Sequence, residues 1–231
     1  MSESTIKYEL DGKVAVVRMD DGKANVFSHA ALDALSAALD RAGEDEAGSV
    51  LLVGRPGKFS AGFDLSVMTA GASERRQLVE KGARLMMRVH MFRRPVVAGC
   101  TGHGLAAGAV LLTACDHRIG VAGAFKLGLN EVGIGMPLPI FAMELARERL
   151  TKGHLVAATM HGRVYDPSGA RDAGFLDEVV EAEAFEATAL ERARALAELP
   201  DPAYWLTKKL LRGPVARDIA ARLDEDMAQI G

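Results

Sequence analysis

PVVAGCTGHGLAAGAVLLTACDHRIGV, residues 95–121, is the stretch whose reading decides the fold. Residues 95–100 form an apolar run of strand length, and residues 117–121 form a second. Between them a glycine-rich turn opens a helix over 106–114 built almost wholly from small and aliphatic side chains. A helix that is apolar all round is buried, and strands alternating with such helices imply an α/β architecture.

The same grammar runs outward on the N-terminal side. Residues 5–10 and 13–19 read as strands joined at Asp11 and Gly12, a pair suited to a hairpin turn. Ser28 precedes a helical pattern over 28–41 in which Leu32, Leu35, Ala38 and Leu39 share a face. A strand over 50–53 and a helix over 73–92 follow. Toward the C-terminus helices dominate, at 141–149, 152–160, 182–199, 204–211 and 215–230, so a catalytic core over 1–199 and a helical tail over 200–231, a lid or oligomer contact, are expected.

Composition narrows the function classes. With 231 residues, 49% hydrophobic and 26% charged, the chain has material for one sizeable core. A net charge of -3 and the absence of a basic run argue against nucleic acid, and the polar N-terminus and lack of a long apolar run against a leader or membrane span. A cytoplasmic protein is the expectation. Cys100 and Cys115 sit in apolar segments and read as small buried hydrophobes, and scattered histidines imply no metal.

Three segments break local rules together. In KFSAGFDL, residues 58–65, Gly62 permits backbone angles that aim the next amides outward, although an ordinary strand-to-helix turn capped by Asp64 would read the same. In TGHGLAAGAV, residues 101–110, free amides at a helix start form an anion site, although close helix packing would also call for small residues. In KLGLNEVGIGMP, residues 126–137, Glu131 is surrounded by apolar residues and glycines. Such a carboxylate has its pKa raised toward the range of a general base, unless it caps the following turn or meets an arginine.

Order and separation of these three segments resemble the enoyl-CoA hydratase/isomerase (crotonase) family over most of the chain. The resemblance implies a ββα spiral core with a C-terminal helical region, no bound cofactor beyond the coenzyme A of an acyl-CoA substrate, and a homotrimer or hexamer. It implies that the amides of Phe63 and Ala107 form an oxyanion hole flanked by Ala61, Gly62, Asp64, Leu65 and Gly108. Lys23, Ala24 and Asn25 resemble the segment that receives the adenine and phosphates, with Lys208 and Lys209 as further candidates near phosphate. Family hydratases carry two glutamates; one matches Glu131, but the other falls on Val110, which can neither hold water nor transfer a proton. Asn130 before the acid also resembles the family's isomerases. Isomerisation of 3-enoyl-CoA to 2-enoyl-CoA, with Glu131 as proton shuttle, is thus ranked ahead of hydration, where His103 would be the nearest helper, and of acyl-CoA binding without catalysis. The stretch 66–76 is expected to be a loop over the pocket that sets acyl-chain length.

Overall fold

The computed structural model describes residues 5–230. The chain opens with the expected hairpin, β1 (Ile6–Asp11) against β2 (Val14–Met19), turned through Gly12 at φ +60°. Beyond it every strand pairing is parallel. Strand β3 (Val26–Phe27) leads into α1 (His29–Glu44), whose first turn is capped by the Ser28 hydroxyl accepting from the Ala31 amide. Then β4 (Ser49–Val53) is followed by β5 (Gly57–Ser60), β6 (Gly62–Phe63), α2 (Leu65–Met68) and α3 (Ala72–His90). The stretch 95–121 gives β7 (Val96–Cys100), β8 (Gly102–Leu105), α4 (Ala107–Ala114) and β9 (His117–Val121), with β10 (Leu127–Gly128) beyond it.

Each unit thus sends one strand to a large sheet and the next to a small one before a helix returns. The large sheet has the order β1-β2-β4-β7-β9-β11, with β11 at Glu178–Val180, and the small sheets are β10-β8-β5 and β3-β6. Strands β4 and β7 are buried at every position, because both sheet faces are covered. One face packs on α1, α3 and α4; the other packs on α8 (Ala182–Ala197) through Phe185, Ala189 and Ala193. Helices α5 (Ile140–Arg149), α6 (Lys152–Thr159) and α7 (Pro167–Ala173) lie between β10 and β11 in sequence.

Two expectations need correction. The stretch 66–76 is largely helical: Asp64 accepts from the Ser66 amide and hydroxyl, which starts α2, and α3 begins at Ala72. The separate helices at 204–211 and 215–230 are instead one helix, α9 (Asp201–Ala221), running through Pro214, followed by α10 (Leu223–Ile230). The proline removes one backbone donor, but Lys208 and Arg212 before it and Ile219 after it are all buried, so tertiary contacts hold both halves in line.

Those contacts centre on Asp116. Its carboxylate receives Lys208 Nζ at 2.8 Å, Arg212 Nη1 at 3.0 Å and the Val96 amide at 2.7 Å. Lys208 is therefore a buried structural cation, and not a phosphate ligand; Lys209 lies over the Trp205 ring, 5.7 Å from its centroid. Cys100 and Cys115 are buried as expected, and burial pushes both thiols up to about 12. No helix of the described residues is long and apolar enough to cross a membrane.

Candidate active site

The Gly62–Phe63 strand is positioned by its pairing with β3. Asp64 donates its amide to the Phe27 carbonyl at 3.2 Å, and Ala61 donates to the Ala24 carbonyl at 3.0 Å. Strand alternation turns the Phe63 N–H to the side opposite that of Asp64. Gly62, at φ +95°, makes the turn and sits hard against the second segment: a Cβ on it would lie 3.0 Å from Ala106 Cβ and 3.2 Å from the Ala107 nitrogen.

Ala107 is the first residue of α4, where amides have no partner within the helix. It is presented by a strained residue, Ala106 at φ 49° and ψ -127°, a region L-residues rarely occupy. The Ala106 amide donates to the Gly128 carbonyl at 3.0 Å, so this second segment is also tied to the third. Gly108 is a packing residue: a Cβ there would stand 2.5 Å from the Ser60 carbonyl oxygen.

The third segment folds around Glu131, whose carbonyl accepts from the amides of Ile134 and Met136 at 3.0 and 2.9 Å. Its side chain makes no cap bond to the 3-10 turn Val132–Ile134 and no ion pair among the described residues, so neither bland explanation of this acid holds. Oε2 is buried without a hydrogen-bond partner there. Burial pushes the carboxyl up to about 7, relieved only in part by its own backbone amide.

These segments enclose a cavity of about 450 Å³. Ala61, Phe63, Leu65, Ala107, Val110 and Glu131 line it together, so six of the residues singled out in the sequence converge. Gly62 and Gly108 pack behind the lining, and Asp64, outside it, caps α2. Lys23, Ala24 and Asn25 lie outside the lining. The Asn25 side chain is turned into the protein, donating to the carbonyls of Met19, Lys58 and Phe59, while Lys23 is exposed. His103 accepts from the Lys126 amide at 3.0 Å and stacks edge-on with Phe125, away from Glu131, as a turn histidine does.

Met68, Arg75, Val79, Phe141, Ala142, Gln229 and Ile230 close the far wall. The first two fall in the 66–76 stretch expected over the pocket; sequence reasoning missed the other five. Their signal was weak because they come from α3, α5 and α10, elements that meet only in the folded chain. Helix α10 is held there by Asp226, 1% exposed, whose carboxylate accepts from the amides of Ile140 and Phe141 at 2.7 and 3.1 Å.

An amide pair at one wall and a single dry carboxylate at another give this α/β scaffold the parts for proton abstraction beside a stabilised oxyanion. The family model described as enoyl-CoA hydratase/isomerase matches residues 9–229. A crystal structure of an enoyl-CoA hydratase/isomerase family protein from Pseudomonas syringae superposes with TM-score 0.95 at 39% identity, covering 98% of each chain. Human mitochondrial enoyl-CoA delta isomerase 1 is 29% identical over 93% of this chain and 72% of its own length. A probable enoyl-CoA hydratase of Bacillus subtilis is 34% identical over 84% of this chain and 75% of its own. The chain belongs to the enoyl-CoA hydratase/isomerase family and has the crotonase fold.

Proposed function

We propose that this protein is an enoyl-CoA isomerase that moves a proton from C2 to C4 of a 3-enoyl-CoA thioester through Glu131. The observation that carries the reading is the presence in one cavity of Val110 and a buried Glu131 whose Oε2 has no partner among the described residues. Glu131 takes the C2 proton, negative charge gathers on the thioester oxygen against the amides of Phe63 and Ala107, and Glu131 returns the proton at C4. One base suffices because the reaction neither consumes nor releases a proton.

Hydration is the second reading. The likeness to a probable hydratase favours it, and Asn130 Oδ1 is a buried acceptor beside Glu131 that could help hold water. An amide cannot transfer a proton, which ranks it lower. Binding without catalysis is third, since nothing in binding calls for a dry carboxylate. Lys23, Ala24 and Asn25 remain the candidate CoA segment by the Ala24 to Ala61 link.

For assembly we propose a homotrimer, singly or paired. Val132, Ile134, Val156 and Met160 are exposed, and the loop after α6 lies against the turn that carries the first two: a Cβ on Gly162 would stand 3.1 Å from the Gly133 nitrogen.

The deciding experiment follows conversion of 3-enoyl-CoA to 2-enoyl-CoA beside hydration of 2-enoyl-CoA, for wild type and Glu131→Gln. Isomerisation that collapses in the variant with thioester binding intact supports the proposal; robust hydration without isomerisation overturns it.

A further inference from the structure

Among the described residues lining the cavity, Glu131 and Arg75 alone have ionisable side chains. Arg75 stands in the first turn of α3, where a cation gains nothing from the helix dipole. It is half-buried, and among the described residues it meets no carboxylate. Its one hydrogen bond there runs from Nε to the Ile230 carbonyl at 2.9 Å. A guanidinium has five N–H groups in a planar fork, so the Nη pair is left to whatever occupies the cavity.

The position of this cation relative to the chemistry follows from α3. The Phe63 ring packs on Gly82, where a Cβ would lie 2.4 Å from Phe63 Cε1. Arg75 precedes Gly82 by seven residues, about 10 Å along the helix. The wall near Arg75 is otherwise apolar or neutral, with Met68, Val79, Gln229 and Ile230.

We propose that Arg75 is a specificity residue that receives a carboxylate at the far end of the acyl chain, so that the preferred substrates are CoA thioesters of short dicarboxylic acids. The proposal rests on the thioester reading of the cavity. Arginine and carboxylate form paired, charge-assisted hydrogen bonds, strongest where water is partly excluded. A plain alkyl chain of the same reach would strip water from the guanidinium and return no acceptor.

The test is calorimetric binding of adipoyl-CoA and suberoyl-CoA, hexanoyl-CoA and octanoyl-CoA, and free CoA, to wild type, Arg75→Met and Arg75→Gln. Glutamine keeps a donor for the Ile230 carbonyl and removes the charge, which separates ligand binding from any loosening of α10. Wild type should bind at least one diacid thioester roughly ten- to hundredfold more tightly than its monoacid partner, and both variants should lose that preference while binding free CoA unchanged. No diacid preference in wild type overturns the proposal, as does an equal loss of affinity for free CoA in the variants, which would make Arg75 a phosphate contact. Failure of the wild type to bind any of these ligands would instead overturn the thioester reading beneath it.

Discussion

Gly62 and Ala107 are in such close apposition that a Cβ on Gly62 would reach 3.2 Å from the Ala107 nitrogen. Gly62→Ala must therefore push two amide-bearing segments apart while also adopting φ +95°, which costs about 1 to 2 kcal/mol for an L-residue. The variant should fold with a slightly lower Tm, and its kcat should fall roughly 10²-fold, the scale of one oxyanion donor lost. Unchanged kcat with the same loss of Tm would show that the two amides do not act as a pair.

Glu131→Gln should lower isomerase kcat roughly 10²- to 10⁴-fold. In wild type, kcat/KM should rise with pH through about 7, because the base must be unprotonated to act. Stability should move the other way. Burial raises this carboxyl from 4.5 to about 7, so between those values the folded state holds a proton that the unfolded state has released. Stability therefore declines as pH climbs through that window, by on the order of 3 kcal/mol in full. Thermal unfolding of wild type and the Glu131→Gln variant should nearly coincide at the low end of the window, with the variant the more stable above it; the reverse order would mean that Glu131 is held charged by a partner.

Val110→Glu places a second carboxylate in the cavity that Glu131 lines. Hydration of 2-enoyl-CoA should rise at least tenfold on the scale of general acid-base help, at a cost of a few kcal/mol for burying the new acid. The apparent pKa of the pH profile should also rise, since two nearby carboxylates resist ionising together. A folded variant with no gain in hydration would show that the missing glutamate is not what limits that reaction.

Lys208→Met removes one of two cations held by Asp116 and should destabilise the fold by about 3 kcal/mol, the low end for breaking a buried pair because Arg212 remains. Affinity for free CoA, measured by calorimetry below the unfolding transition, should not change. A tenfold loss there would return Lys208 to the ligand site.

Why some of this was readable beforehand and some was not has a physical basis. Elements whose signal is local, such as the β1–β2 hairpin, α1 behind its Ser28 cap and the strands flanking α4, appear in the chain where the pattern puts them. Glu131 was legible because an acid among glycines and aliphatic residues contradicts its surroundings. The two-residue strands β3, β6 and β10 were not, since pairing alone creates them. The helix over 201–221 read as two because the ion pairs at Lys208 and Arg212 that help carry it through Pro214 join residues about ninety positions apart. The stretch 66–76 was legible as pocket cover, but nothing local set Arg75 apart within it; its place in the cavity does that.

Asp226 reaches back across more than eighty residues to cap α5, and with Gln229 and Ile230 it brings the final wall to a cavity whose first lining residue is Ala61. A nascent chain made as far as α9 would already hold the amide pair and Glu131, yet its apolar trough would stand open to water. Closure of the cavity thus waits for α10, and a chain truncated after α9 should bind hydrophobic dye that the chain carrying α10 excludes.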